Sequence, residues 1–406
     1  MERASCEEAH PWWLGDALTI GRDGLLIDGV SIADTARRHG TPLYIYGERT
    51  LRRRVSELRH ALDTAVLGTR TPFQVRYAMK ACRFRPVLDV LRSERDVGID
   101  ACSPREVERA LEAGFRADEI SVTAGMLSDR DLSAFAKHGV HVNLDTRSAL
   151  ARWARTAGAS REVGLRIDPN VRIGWSGEQK HSYGDSKFGF AVTSVLDAVA
   201  FAESLGLAIV ELHVHAGWGL QASVAGELAT IFAQMAALAK AIPTVRTIDV
   251  GGGLPWRQRA EDDPLLPATW ASLLRAHLVP TGCVLKCEPG TFLAASAGVL
   301  VAEVNTVEVR PSGKWVGVDA GHNVNVYAAH YAIPHAIVSV ARPLAPPFAT
   351  VHVAGNINEA NDVFARDLPF AEIEEGELVV LYPAGAYGAS MASDHCMRGL
   401  PQEVLV

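Results

Sequence analysis

The sequence predicts an α/β chain: a closed (β/α)8 barrel of the TIM type, joined to a C-terminal mainly β domain that also takes in the N-terminal strands. Three observations carry that prediction. Short apolar runs alternate with helix-like stretches eight times between residues 75 and 290, the pattern turns β-rich from about residue 296, and the first residues share that later pattern.

Taken in order, residues 1–45 contain "ALTIGRDGLLIDGVSI", whose apolar alternation and hairpin signal at Asp23 and Gly24 suit strands that pack with the β domain. Residues 46–295 form the barrel. Its strands are expected in "FQVRYAMK", "DVGIDACS", "EISVTAG", "VHVNLDT", "EVGLRIDP", "AIVELHVHAG", "VRTIDVGGG" and "CVLKCEPG". Between them, "PREVERALEAG", "DRDLSAFAKHG" and "GELATIFAQMAALAKA" space apolar residues at i, i+3 and i+4 and often end in glycine, as amphipathic helices do. Eight such units fit a closed barrel better than an open doubly wound sheet. Residues 296–406, with "GVLVAEVNTVEV", "KWVGVDAG", "ATVHVAG" and "ELVVLYPAGAYG", read as strands broken by Gly and Pro turns.

Of the 406 residues, 48% are hydrophobic and 21% charged, which suits a globular chain with a large core. A formal net charge of -7 gives no basic field for nucleic acid or a membrane surface and points to a small-molecule partner. The start "MERASCEEAHPWW" has no basic-then-apolar leader, and no run is read as reaching the ~20 apolar residues that span a bilayer, so a cytoplasmic protein is expected. The cysteines, Cys6, Cys82, Cys102, Cys283, Cys287 and Cys396, make no CxxC pair and read as reduced thiols. Cys283 and Cys287 are expected to be buried packing residues.

A barrel keeps its reactive groups at the C-terminal ends of its strands. Lys80 ends the first strand among Tyr77 and Met79, where partial desolvation would free its amine for a Schiff base. Gly251, Gly252 and Gly253 end the seventh, the usual phosphate position, where backbone N–H groups can approach an anion. Glu288 ends the eighth, placed to keep a ring nitrogen protonated. His213 and His215 end the sixth on one face; with no third ligand of suitable type close by, no metal site is expected, and a ring stacked on a flat cofactor is the preferred reading. Lysine, carboxylate, glycine nest and stacking ring together describe pyridoxal 5'-phosphate.

The motifs "YAMKA", "SKFGF", "HVHAGWG", "IDVGGGL", "EPGTFLAASAGVLV", "GNINEANDVFARD" and "PAGAYGASMASDHCMRGLPQEVLV", in that order, resemble the ornithine and diaminopimelate decarboxylase group, the barrel-type (fold type III) pyridoxal-phosphate enzymes related to alanine racemase. The resemblance covers roughly residues 40–406. It implies that Lys80 forms the internal aldimine, His215 stacks on the ring and Glu288 pairs with its nitrogen, while Gly251 to Gly253, Gly290 and Tyr387 surround the phosphate. It also implies a homodimer with active sites at the interface, where the segment near Glu359 comes from the partner. A carboxylate rather than an arginine at the ring nitrogen favours decarboxylation over racemisation.

The sequence departs from that family at several points. A cysteine thought to protonate the product carbon is replaced by Asn358, which leaves His322, His330, Tyr331 and Cys396 as candidate acids. The arginine expected after "EPG" is Thr291, the small serine expected after His-x-Gly is Trp218, and "GHNVNVYAAHYAI" lacks the arginine that would meet a distal carboxylate. The expected reaction is therefore decarboxylation of an amino acid or derivative other than diaminopimelate, in a secondary pathway, with Glu359, Tyr331 and Thr291 facing the substrate. Whether that substrate is free or tethered to a carrier protein stays open, as do a racemase or epimerase on the same scaffold and an inactive cofactor-binding homologue.

Overall fold

The computed structural model describes residues 11–174 and 186–406; Cys6 and most of the segment read for a leader lie outside them. The chain forms two compact units. One comprises Met1–Leu51, Arg257–Asp262 and Ala294–Val406, the other Arg52–Trp256 and Asp263–Leu293.

The second unit is a barrel of eight parallel strands: β1 Phe73–Ala78, β2 Val97–Ala101, β3 Ile120–Thr123, β4 His141–Leu144, β5 Glu162–Asp168, β6 Ala208–Val214, β7 Thr247–Asp249 and β8 Val284–Cys287. Each pairs in parallel with the next, and β8 pairs with β1 to close the ring. The strands are apolar and β-branched because both faces are covered; all five residues of β2 are buried. Three of the barrel's helices begin where Ser or Thr follows a strand. Ser103, Ser128 and Thr146 each accept from the backbone N–H three residues on, capping Pro104–Glu112, Asp129–His138 and Arg147–Arg155. Helix Asp129–His138 turns its buried Leu132, Phe135 and Ala136 inward.

Contrary to the sequence reading, one stretch does reach membrane-spanning length and hydropathy: Ala222–Ala241, with a mean hydropathy of 1.4. Within it, helix Ala225–Ala241 lies between β6 and β7 and buries Leu228, Ile231, Phe232 and Met235, which makes it one of the barrel's own helices.

The first unit is built around the 13-residue strand Gly298–Arg310. That strand pairs antiparallel with Leu43–Tyr46, Leu378–Tyr382 and Gly313–Val318, and Gln402–Leu405 runs parallel to Leu43–Tyr46. Leu18, Ile27, Leu43, Ile45, Val299, Val301 and Val380 share one buried cluster. The N-terminal strands form their own three-stranded sheet, tied to this unit through Leu25 N–H and the Val340 carbonyl. The hairpin register is one residue off the expected one. Gly21 pairs with Gly24, so the turn residues are Arg22 and Asp23, and a Cβ on Gly24, at φ +118°, would lie 2.3 Å from the Val340 oxygen.

Candidate active site

Lys80 sits in the turn Met79–Ala81, just past the end of β1 rather than on it. Its surroundings differ from the apolar setting expected. The Lys80 Nζ lies 3.0 Å from Asp100 Oδ2 and 3.6 Å from Cys102 Sγ, with 41% of its side chain exposed and none of Asp100. Strand β2 brings both partners there; they stand at and just beyond its end, beside the end of β1. Burial and the nearby Glu288 charge push the Asp100 carboxyl well above the usual carboxylate range, while Lys80 opposes them. Burial pushes the Cys102 thiol up to about 12, so it is held as a neutral thiol at neutral pH.

Glu288 follows β8 and is buried. Its Oε2 lies 3.0 Å from His213 Nε2, and its Oε1 accepts from Thr123 Oγ1 at 3.2 Å. Burial pushes this carboxyl up, but His213 and, behind it, Lys80 hold it down at about 2. Glu288 is therefore an acceptor at neutral pH, suited to a protonated ring nitrogen.

His215 is half-buried, and its Nδ1 accepts from the Gly252 N–H at 3.2 Å, which leaves Nε2 as the protonated nitrogen. Desolvation, then Arg166 and Lys80, push the imidazole down to about 3, so the ring is neutral. A neutral flat ring suits stacking.

The glycine run does a different job from the one expected. The Gly251 N–H donates to Asp249 Oδ1 at 2.9 Å and the Gly252 N–H to His215, so only the Gly253 amide remains outside these two inward bonds. The three amides thus do not converge on one phosphate. Close approach is what needs the glycines: a Cβ on Gly252 would lie 2.4 Å from the Glu288 carbonyl, and one on Gly253 2.6 Å from that of Gly217.

The third group absent from the sequence reading of His213 is present. His213, Asp249 and Glu288 bring ligand-type atoms within 4.8 Å of one another. The His213–Glu288 hydrogen bond takes up two of these groups, and burial, with Glu288 and Glu211 behind it, holds Asp249 well above the usual carboxylate range. Asp249 Oδ1 accepts from the Gly251 N–H, while its Oδ2 is buried without a hydrogen-bond partner among the described residues.

Sequence reasoning also missed Asp100, Thr123, Asn143, Glu211 and Lys286. All are buried polar residues on barrel strands, a signal that was there to be read. Gly290 and Thr291 follow Glu288, with Gly290 buried and Thr291 opening the short helix Thr291–Ala294.

The remaining expected residues belong to the first unit. Tyr387, at φ +63°, stacks on Tyr327 with ring centroids 5.0 Å apart, and Tyr331 lies 5.4 Å from Tyr327. Asn358 and Glu359 are exposed, and Glu359 Oε1 lies 3.6 Å from Nε2 of His395, whose ring is 5.9 Å from that of His322. His395 was not among the candidate acids.

Residues 48–295 match the family model of the pyridoxal-dependent decarboxylase, pyridoxal binding domain. The chain is 35% identical to the diaminopimelate decarboxylase of Methanothermobacter thermautotrophicus, over 94% of this chain and 90% of that one. It is 33% identical to that of Streptomyces coelicolor, over 94% and 88%. Among solved structures, the M. jannaschii diaminopimelate decarboxylase in complex with L-lysine superposes with a TM-score of 0.87 at 26% identity, covering 96% of this chain and 93% of that one. A lysine/ornithine decarboxylase from Vibrio vulnificus shares the fold, with a TM-score of 0.77 at 20% identity over 92% and 97%.

Proposed function

The chain belongs to the fold type III pyridoxal-phosphate-dependent decarboxylases, and on that premise we propose that this amino-acid decarboxylase acts on an amino acid or derivative other than diaminopimelate. The observation that carries the proposal is the make-up of residues 319–335, the stretch where the resemblance puts the cation for a distal carboxylate. It contains no arginine or lysine and instead groups Tyr327, His330 and Tyr331, with the His330 and Tyr331 rings 4.6 Å apart edge to face. A second, distal carboxylate would find no cationic partner in this stretch. An aromatic or hydrogen-bonding side chain suits these residues better. Diaminopimelate is the second reading, favoured by the names of the relatives.

Pyridoxal phosphate, the family's cofactor, supplies an aldehyde to join the substrate amine and a pyridinium ring to draw in the electron pair left when carbon dioxide departs. We assign Lys80 to the aldehyde, Glu288 to the ring nitrogen, His215 to the ring face, and Gly253, Gly290 and Tyr387 to the phosphate side. The donor set fits that cofactor: an amine beside a carboxylate at 3.0 Å, a carboxylate held ionised, and a neutral imidazole. Asp100 is placed to hold the Lys80 proton. His213 and Thr123 fix both oxygens of Glu288, which keeps it aimed and ionised. The chain is further assigned as a homodimer in which the partner donates the segment carrying Asn358 and Glu359.

Product analysis by mass spectrometry, with diaminopimelate, lysine, ornithine, arginine and aromatic or acylated diamino acids offered in parallel, tests the substrate. Diaminopimelate is expected to lose carbon dioxide at least 10²-fold more slowly than the preferred compound, a difference of the size left by an unpaired buried charge. Equal or faster turnover of diaminopimelate would overturn the proposal. Borohydride reduction should fix the cofactor on the peptide containing Lys80, and attachment at Lys187 or Lys286 would refute that assignment.

A further inference from the structure

Register sets Thr123 on β3, Asn143 on β4, Gly164 on β5 and Glu211 on β6 side by side across four neighbouring strands. All four are buried. The Asn143 Nδ2 donates to Glu211 Oε1 at 3.1 Å and to Thr123 Oγ1 at 3.0 Å, which uses both protons of that amide. Having accepted there, the Thr123 hydroxyl turns its single proton to Glu288 Oε1, 3.2 Å away. The far end is an ion pair: Lys286 Nζ donates to Glu211 Oε2 at 2.5 Å. Against burial, Lys286 and then His141 hold Glu211 well below the usual carboxylate range.

We propose that the Glu211–Lys286 ion pair is a remote positioning element for Glu288, acting through Asn143 and Thr123. An ionised Glu211 only accepts hydrogen bonds, so Asn143 must face it with nitrogen rather than oxygen, and that choice sets the direction of every bond up to Glu288. Without that charge the Asn143 amide is able to turn over, present its oxygen to Thr123 and draw the hydroxyl proton away from Glu288. Gly164 makes the chain continuous. It stands between Asn143 and Glu211 in register, and a Cβ there would lie 1.7 Å from Asn143 Oδ1. The inference rests on the assignment of Glu288 to the ring nitrogen.

The test uses holoenzyme loaded with cofactor labelled with 15N at the ring nitrogen, read by NMR alongside kcat and KM. Glu288→Gln sets the full displacement of the resonance. Thr123→Val, Gly164→Ala and the double variant Glu211→Leu/Lys286→Met, which leaves no orphaned charge, should each move the resonance part of the way in the same direction. Each should lower kcat about tenfold, the worth of one hydrogen bond to a charged group, with KM within about twofold. Thr123→Ser keeps the hydroxyl and should restore both readouts. Parent values of resonance and kcat in the double variant, beside a displaced Glu288→Gln, would overturn the inference alone. An undisplaced Glu288→Gln would overturn the assignment of Glu288 and the inference with it. Parent values of both readouts in Thr123→Val would overturn the inference with the ion pair intact, so the test does not hang on how well the double variant folds.

Discussion

The Lys80 amine is held by Asp100, 3.0 Å away and wholly buried at the end of the neighbouring strand. Against burial and Glu288, Lys80 draws that carboxyl toward its ionised form, and in that form it favours the charged amine, the opposite of what an apolar pocket would do. Replacing Asp100 with the neutral isostere Asn should therefore move the midpoint of the pH profile for cofactor attachment downward, by about one unit or more. The rate of absorbance growth after mixing apo-protein with pyridoxal phosphate, measured across pH, reads this directly. An unmoved midpoint would show that Asp100 does not govern the Lys80 proton.

Gly252 and Gly226 give a contrasting pair. A Cβ on Gly252 meets the Glu288 carbonyl at 2.4 Å, whereas one on Gly226 meets nothing within 4 Å. Gly252→Ala should cost about 1–3 kcal/mol of stability and weaken cofactor binding about tenfold or more, because the backbone carrying Glu288 must shift. Gly226→Ala, in helix Ala225–Ala241, should instead gain about 0.5–1 kcal/mol. Denaturant titration and cofactor titration of the two variants check both signs.

The apo-protein should lose stability in acid. Glu288 sits at about 2 against an ordinary 4.5, and its contribution is present above pH 4.5 and lost as pH falls toward 2. His215 sits at about 3 against 6.5; below 6.5 the unfolded chain binds the extra proton, so stability falls with pH from there as well. Asp249 has the opposite sign. Raised above 3.8, it costs stability as pH rises, so Asp249→Asn should raise the apo-protein's melting temperature at pH 7 and leave it nearly unchanged at pH 4. Melting curves from pH 4 to pH 8 decide this, and a gain independent of pH would show that Asp249 stays ionised.

Much of the barrel and its rim could be read from the chain because both follow local rules. Strand runs, Ser and Thr caps and the glycines after β7 are set by neighbours in sequence, and Lys80, His215 and Glu288 stand at strand ends, where a barrel gathers its reactive groups. What could not be read was lateral. Register puts Thr123 beside Asn143 and Gly164 beside Glu211, and no spacing within one strand reveals it. The same holds for Asp100 beside Lys80. The hairpin slip at Asp23 has a similar cause, since the Val340 carbonyl crowds Gly24.

Asn358 raises the question of the final proton. Once carbon dioxide has left, the product carbon must take a proton, and a positioned acid typically contributes 10²–10⁴-fold to such a step. An amide side chain does not supply it. Asn358 is exposed and adjoins Glu359, whose Oε1 lies 3.6 Å from His395 Nε2, so the imidazole is the acid-base group nearest that segment's carboxylate. On that geometry His395 is the first acid to test, ahead of His322, His330, Tyr331 and Cys396. His395→Gln should slow turnover about 10-fold or more and raise the share of product released as aldehyde or ketone with pyridoxamine phosphate, because a proton from solvent can reach the cofactor carbon instead of the product carbon. Asn358→Cys in the same background should suppress that side product. Decarboxylation in heavy water, with the configuration of the labelled carbon read by NMR, distinguishes the outcomes. Single-configuration labelling that survives His395→Gln would move the role to one of the other four residues, and labelling that is already scrambled in the parent enzyme would show that solvent is the donor.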